Sequence, residues 1–485
     1  MKTTFIILSL LMLGIGASAQ TGGKALSDVN PQFNTSTEAS RTSTAYGDVA
    51  GFIDNGVYTY RGIPYAYADR FEEPRAPKAW SGVRSSRWWG KASQQPPYDG
   101  VTSDEISFFF HSNMGDLDDH CQFLNVWTPG INPKGKQGKQ RPVMVWLHGG
   151  GFQAGSSQEL PVYNGRNLAA KGDVVVVSVN HRLNCIGFLD LSAFGEKYAH
   201  TGNLGMLDIV AALKWVKENI AYFGGDPNNV TIFGQSGGGG KVSTLACMPV
   251  AKGLFNKAMV MSGSFSLANK QENARKVGLL TAEYLGLDAK NIDKIKTIPY
   301  SDLWKAAYKA QKEVNASQSG FGRVAWGPVA GESNLPEVPF RNGSELQSAD
   351  IPFIIGSTLN EFSGAQEDKM VRAAAISQAT VNFNHKKAPV WLYRFNYQVP
   401  SLDGQFHADH SNDIGFFFNN VANCPFITGA TPAGINLGET MSSYLLNFVR
   451  TGNPNGKGLP EWKTFSPDTE ATMIFNVPKC EMKNK

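Results

Sequence analysis

The chain has 485 residues, 42% of them hydrophobic and 18% charged, with a formal net charge of +4. That balance suits a folded protein with a large core and excludes a disordered chain. A small net charge without a basic block also argues against nucleic acid as a partner. Five cysteines (Cys121, Cys185, Cys247, Cys424 and Cys480) are scattered and none lies in CxxC spacing. No cysteine metal site is expected, and stability must come mainly from the core.

At the N-terminus, "MKTTFIILSLLMLGIGASAQ" starts with Lys2, runs apolar from Phe5 to Ile15 and reaches small residues at Ala17 and Ala19. This pattern predicts a secretory signal over residues 1–19, cleaved near Ala19, and hence a secreted or periplasmic protein. The apolar run is too short to span a bilayer, and no cysteine follows the cleavage point to take a lipid, so no membrane anchor is expected. Residues 20–46, rich in Ser, Thr, Asn and Gly, read as a flexible lead-in. Residues 47–485 carry no comparable linker and no internal repeat, and read as one domain.

Within that domain, strand-like and helix-like segments alternate. Residues 142–148 ("PVMVWLH") and 173–180 ("DVVVVSVN") are short runs of the kind buried on both faces of a parallel sheet. Residues 205–223 place Leu207, Val210, Leu213, Val216 and Ile220 at helical spacing. Another strand, "NVTIFG" (229–234), leads into a glycine-rich turn, and further strands are expected at 257–262, 351–357 and 389–395. A closing helix over 437–452 ends on Gly452 as a C-cap. The alternation predicts an α/β fold around a mainly parallel sheet flanked by helices.

Two glycine clusters carry chemistry. "FGQSGGGGK" puts Ser236 between glycines after a strand and before a helix, the layout of a nucleophile elbow that pushes one hydroxyl outward. "HGGGF" (148–152) directly follows a strand. Bare amides at Gly150 and Gly151, joined by that of Gly237, could converge on one oxygen, as acyl transfer requires when a carbonyl becomes an oxyanion.

Here the chain resembles the type B carboxylesterase family of α/β-hydrolases, from about Gly47 to Met473. The likeness rests on "YRGIPYA" (60–66), "DDHCQFLNVWTP" (118–129), "HGGGF", "NHRLNCIGFL" (180–189), "GNLGMLD" (202–208), "FGGDPNNVTIFGQSGG" (223–238) and "NFVRTGNPNG" (447–456), in the family's order. It implies a serine esterase that uses Ser236, Glu361 and His410, and the signal pattern points to a secreted bacterial member. Glu361 comes from "GSTLNEF", which matches the family's Gly-x-x-x-x-Glu segment. His410 comes from "HSNDIGFFF", whose register favours it over His407. A rival reading takes His407, Asp409, His410 and Asp413 as metal ligands, but nothing elsewhere supplies a matching cluster. The expected substrate is a small-molecule or polymer-linked ester, with no metal or organic cofactor. An amidase or peptidase on the same residues, and a non-catalytic adhesion relative, remain as alternatives.

Several departures from the family stand out. Gln235 replaces the usual glutamate before the nucleophile, Gly237 the usual alanine after it, and Lys241 on the following helix is unusual. Cys121 matches one half of the family's N-terminal bridge, but Ser93 stands where its partner is expected. Phe108, Phe109 and Phe110, and Phe152, are candidates to line a substrate pocket. Only about fifty residues separate Glu361 from His410, fewer than in many relatives, which predicts a more open and shallower site.

Overall fold

In the computed structural model, which describes residues 32–96, 113–133, 138–264, 268–319, 323–341, 346–362, 365–400 and 404–485, one 12-stranded sheet organises the chain. Its strands are β1 (Phe33–Asn34), β2 (Phe52–Asp54), β3 (Val57–Pro64), β4 (Phe123–Thr128), β5 (Arg141–Leu147), β6 (Val175–Val179), β7 (Gly225–Gln235), β8 (Lys257–Met261), β9 (Phe353–Thr358), β10 (Val390–Phe395), β11 (Thr472–Phe475) and β12 (Glu481–Lys483). They lie side by side in chain order except that β6 and β5 exchange places. From β6 through β11 every pairing is parallel; the strands at either end are antiparallel. This is the mainly parallel α/β sheet expected from the alternation.

Period-two alternation explains why both faces are covered. In β5, Val143, Val145 and Leu147 join one core while Met144 and Trp146 join the other. On the first face lie α1 (Leu204–Asn219), through Met206, Ile209, Leu213 and Val216, and α2 (Gly237–Cys247), through Val242 and Leu245. On the opposite face the long closing helix, α3 (Pro432–Thr451), sets Leu437, Met441, Leu445 and Phe448, and it ends on Gly452 in the left-handed conformation. Among the described residues, no helix is long and apolar enough to cross a membrane.

The expectation of a flexible lead-in extending to Tyr46 does not hold from residue 33 onward. Phe33–Asn34 pairs with β2, and Arg41–Thr44 forms a hairpin with Gly47–Ala50. Thr42 is fully buried, and its hydroxyl donates to the Tyr222 carbonyl at 2.9 Å. Strand pairing and side chain to backbone hydrogen bonds hold this segment, and composition registers neither.

One buried ion pair ties the layers together beside β6, where the parallel part of the sheet begins. Arg182, just after β6, meets Asp208 on α1 through Nη2–Oδ1 (2.7 Å) and Nε–Oδ2 (2.8 Å), with both side chains at 0% exposure. The Arg182 amide also donates to Asp208 Oδ2, and its Nη1 donates to the Glu72 carbonyl at 2.7 Å. Asp208→Ala should therefore destabilise the fold by about 3–5 kcal/mol, because it strands a buried guanidinium. Arg182→Met with Asp208→Leu should recover most of that in urea unfolding. A loss below about 1 kcal/mol for the single variant would show that the pair is not buried in solution.

Candidate active site

β7 delivers Ser236 and α2 takes over at the next residue. Between residues 230 and 248 Ser236 alone is not fully buried. Its backbone is held at φ 55°, ψ −124°, a conformation costing a non-glycine residue about 1–3 kcal/mol. The surroundings enforce it. The Ser236 amide donates to the Met261 carbonyl at 2.8 Å, and its carbonyl accepts the Gly240 amide at 3.0 Å. Neighbouring glycines are required by close approach: a Cβ at Gly238 would lie 2.0 Å from the Leu147 oxygen, and one at Gly237 2.1 Å from the Gly151 oxygen. The latter explains a departure noted above, since the glycine loop presses into the space an alanine would need.

Glu361 and His410 come together although 49 positions separate them. His410 Nδ1 lies 2.6 Å from Glu361 Oε2, with the glutamate side chain at 0% exposure. Glu361 Oε1 accepts the Ser262 hydroxyl at 2.8 Å and the Thr358 amide at 2.7 Å. Backbone bonds hold the two loops side by side: His410 N donates to Glu361 O at 3.1 Å, and Asn360 N to Ala408 O at 3.0 Å. With Nδ1 turned to the carboxylate, the imidazole is left with Nε2, a buried atom without a hydrogen-bond partner among the described residues. His407 points elsewhere, with Nδ1 3.7 Å from Asp409 Oδ2.

A continuous run of contacts links the serine to this pair. Ser236 is bonded to Met261; the next residue, Ser262, is bonded to Glu361; and Glu361 is bonded to His410. Three sequence-distant candidates thus occupy one neighbourhood.

The loop after β5 supplies the third part. Gly150 and Gly151 adopt φ of 75° and 64°, and a Cβ on Gly150 would lie 2.3 Å from the Ala154 oxygen. The carbonyls are engaged: Gly149 O lies 3.0 Å from His148 Nδ1, and Gly150 O accepts the amides of Gln153 and Ala154 at 3.3 and 3.1 Å. The amides of Gly150, Gly151 and Gly237 have no acceptor among the described residues. Such a set can receive an oxygen that gains negative charge.

Some expectations need correcting and some residues were missed. Phe152 does not present an open pocket wall: it is 2% exposed, with its ring edge-on to Phe188 at 5.3 Å, because the loop folds it back into the core. Phe108, Phe109 and Phe110 lie outside the described residues, as do residues 1–31 with the signal segment. All five cysteines are free and buried. Asp368, which no sequence motif marks, accepts the Glu361 amide at 2.5 Å and the Phe362 amide at 3.4 Å. Phe362 is 47% exposed and lies on the His410 imidazole, with ring centroids 4.4 Å apart. Its place directly after Glu361 was the available signal.

Charge follows geometry. Burial pushes the Glu361 carboxyl upward, but the hydrogen bond and charge of His410, the Thr358 amide and the Ser262 hydroxyl outweigh it and hold the group below its ordinary 4.5. Asp413 is pushed up to about 7 by its complete burial; the Tyr393 hydroxyl, donating at 2.7 Å, works against this, and the Glu361 charge adds to it. A carboxyl depressed on folding contributes stability that is full above its unfolded value and lost as pH falls through its folded value. Glu361→Gln should therefore flatten the dependence of unfolding free energy on pH below 4.5, measured by urea unfolding across an acid series. An unchanged slope would mean that the pair does not form in solution.

The profile of the carboxylesterase family matches residues 38–384 and 366–485. The para-nitrobenzyl esterase of Bacillus subtilis (strain 168) is 33% identical over 499 residues, covering 91% of this chain and 97% of its own length. Phenmedipham hydrolase of Pseudarthrobacter oxydans is 31% identical, covering 90% of this chain and 95% of its own length. Among solved structures, an esterase from anaerobic Clostridium hathewayi that can hydrolyse aliphatic aromatic polyesters superposes with a TM-score of 0.82 at 32% identity, covering 92% of this chain and 95% of that one. By likeness over nearly its whole length and by its sheet, the chain belongs to the carboxylesterase family, with the α/β-hydrolase fold and the activity of a carboxylic ester hydrolase.

Proposed function

We propose that this protein is an exported type B carboxylesterase that works through Ser236, His410 and Glu361 and passes through an acyl-enzyme. The observation that carries the reading is the run of contacts from Ser236 through Met261 and Ser262 to Glu361 and His410. Glu361 holds the Nδ1 proton of His410, so Nε2 is the basic nitrogen. His410 takes the Ser236 proton as Oγ attacks the ester carbonyl, and the amides of Gly150, Gly151 and Gly237 receive the oxyanion. The carbon–oxygen bond to the alcohol breaks as His410 returns the proton to the leaving oxygen. Water then gives a proton to His410 as it attacks the acyl carbon, the bond from that carbon to Oγ breaks, and His410 returns the proton to Oγ, releasing the acid and restoring Ser236. Each oxyanion donor contributes about 3 kcal/mol to such a transition state. Export rests on the N-terminal pattern of residues 1–19.

For the substrate, we propose aryl and other bulky esters, including polymer-linked ones. The interval from Glu361 to His410 is short, and among the described residues it holds one long helix, Ala365–His385, and the core strand β10. The exposed ring of Phe362 offers an apolar surface beside His410. Relatives named for a para-nitrobenzyl ester and for aliphatic aromatic polyesters fit that expectation.

A fluorophosphonate probe should label Ser236, located by peptide mass spectrometry, and Ser236→Ala should lose activity by about 10⁴-fold or more. Retained hydrolysis in that variant, or labelling elsewhere, rejects the assignment. On a panel of aryl esters of rising acyl bulk, kcat/KM should hold or rise; fast short-chain hydrolysis with refusal of every bulky ester rejects the open site. Amides matched to the preferred ester should be cleaved far more slowly, and equal rates would favour an amidase.

A further inference from the structure

Lys241 has 0% exposure, although it carries an ammonium group and lies only five residues after Ser236 on α2. Burying such a group is costly, and an unbranched apolar side chain would fill the same volume without that penalty. Its Nζ donates to the carbonyl of His148 at 2.9 Å and lies 5.6 Å from the centre of the Phe152 ring. His148 is the residue immediately before Gly149, so Lys241 holds the first peptide of the glycine loop from behind.

The groups around it are themselves buried. His148 at the end of β5 and His181 after β6 stack at 5.1 Å. Burial, with the charge of Lys241 next, keeps both imidazoles well below their ordinary value and hence neutral. Glu159, on the loop beyond the glycines, is pushed up to about 7 by burial, and Lys241 is pulled down to about 7 by the same cause, with the Glu159 charge opposing it. His148 Nε2, His181 Nε2 and Gln235 Nε2 are buried without hydrogen-bond partners among the described residues. The fold tolerates several unfavourable burials in one place, directly behind the loop. Three successive carbonyls of that loop are engaged, at 148 by Lys241, at 149 by the His148 ring and at 150 by two amides.

We propose that Lys241 is a positioning residue of the oxyanion hole: by donating to the His148 carbonyl it fixes the peptide that leads into Gly149–Gly151 and so sets the amides of Gly150 and Gly151 for the oxygen of the transition state. This rests on reading Gly150, Gly151 and Gly237 as the oxyanion donors. The effect belongs to the transition state, because a ground-state carbonyl oxygen carries little charge for those amides to meet.

The test uses Lys241→Met, which keeps length and packing and removes the donor. Readouts are kcat and KM on an aryl ester, the affinity of a trifluoromethyl ketone that adds to Ser236 as a tetrahedral oxyanion, and the affinity of the matching ether, which has no carbonyl. Expected are a fall in kcat of about tenfold or more with KM within about threefold, an equal loss for the ketone, and unchanged ether binding. Thermal stability should hold or rise. The proposal is overturned if kcat and ketone affinity stay within about twofold, or if ether and ketone weaken together, which marks a collapsed pocket. Should the methionine variant not fold, Lys241→Gln decides, with an expected loss of about threefold and the same overturning outcomes. Failure of the parent enzyme to form a ketone adduct at Ser236 would reject the oxyanion reading itself, whereas adduct formation of equal strength in parent and variant rejects only the role of Lys241.

Discussion

The site depends on a contact between two pieces of backbone. β5 and β7 are parallel neighbours with Leu147 opposite Gly234, and the Leu147 oxygen lies where a Cβ on Gly238 would have to go. Only glycine permits that approach. It seats the start of α2 against the end of β5, so the loop after one strand and the elbow after the other leave the sheet at the same edge. In an α/β sheet that edge, at the carboxyl ends of the strands, is where ligands bind. β8 and β9 extend the same register, with Gln235 opposite Met261 and Met261 opposite Gly356, so Ser262 and Glu361 emerge beside Ser236. The imidazole arrives from farther along the chain, and the backbone bonds between residues 360–361 and 408–410 bring it in.

Seen this way, the four consecutive glycines of α2 are a structural compromise. Each costs about 1 kcal/mol of helix propensity relative to alanine. Gly237 is pressed against Gly151, Gly238 against Leu147, and Gly239 lies 2.9 Å from the Gly263 Cα at its would-be Cβ. Helix stability is sacrificed so that the loops after β5 and β8 can close on the start of α2. The strained serine backbone belongs to the same arrangement, held by hydrogen bonds at its amide and its carbonyl.

Buried polarity around the site falls into two groups. Glu361 is fully provided for, with an imidazole, a hydroxyl and an amide on its two oxygens. Such a carboxylate keeps its charge in a low-dielectric setting and fixes the ring that it faces. Behind the glycine loop the balance differs: Lys241, His148, His181 and Glu159 are buried together, with ring nitrogens unpartnered among the described residues. Residue type alone does not separate the two groups; what separates them is which partners the fold supplies.

Much of this was legible in the residues. Strands β5, β6, β8, β9 and β10 lie within a residue or two of the apolar runs that announced them, because segments buried on both faces leave no room for polar residues. The serine elbow and the glycine loop could be read because each demands glycine at fixed offsets. Sequence by itself therefore determined the fold class and marked Ser236 as the nucleophile candidate, both local patterns tied to backbone geometry, whereas His410 was singled out only through the register of the family resemblance. Tertiary structure alone decided that Phe152 turns inward, that residues 33–34 join the sheet and residues 41–44 form a hairpin, that Ser262 and Asp368 brace Glu361, that Phe362 covers the imidazole and that Lys241 reaches the His148 carbonyl. Each of these joins side chains to partners remote in the chain or across a loop, and such pairings are set by packing in three dimensions, which no local pattern encodes.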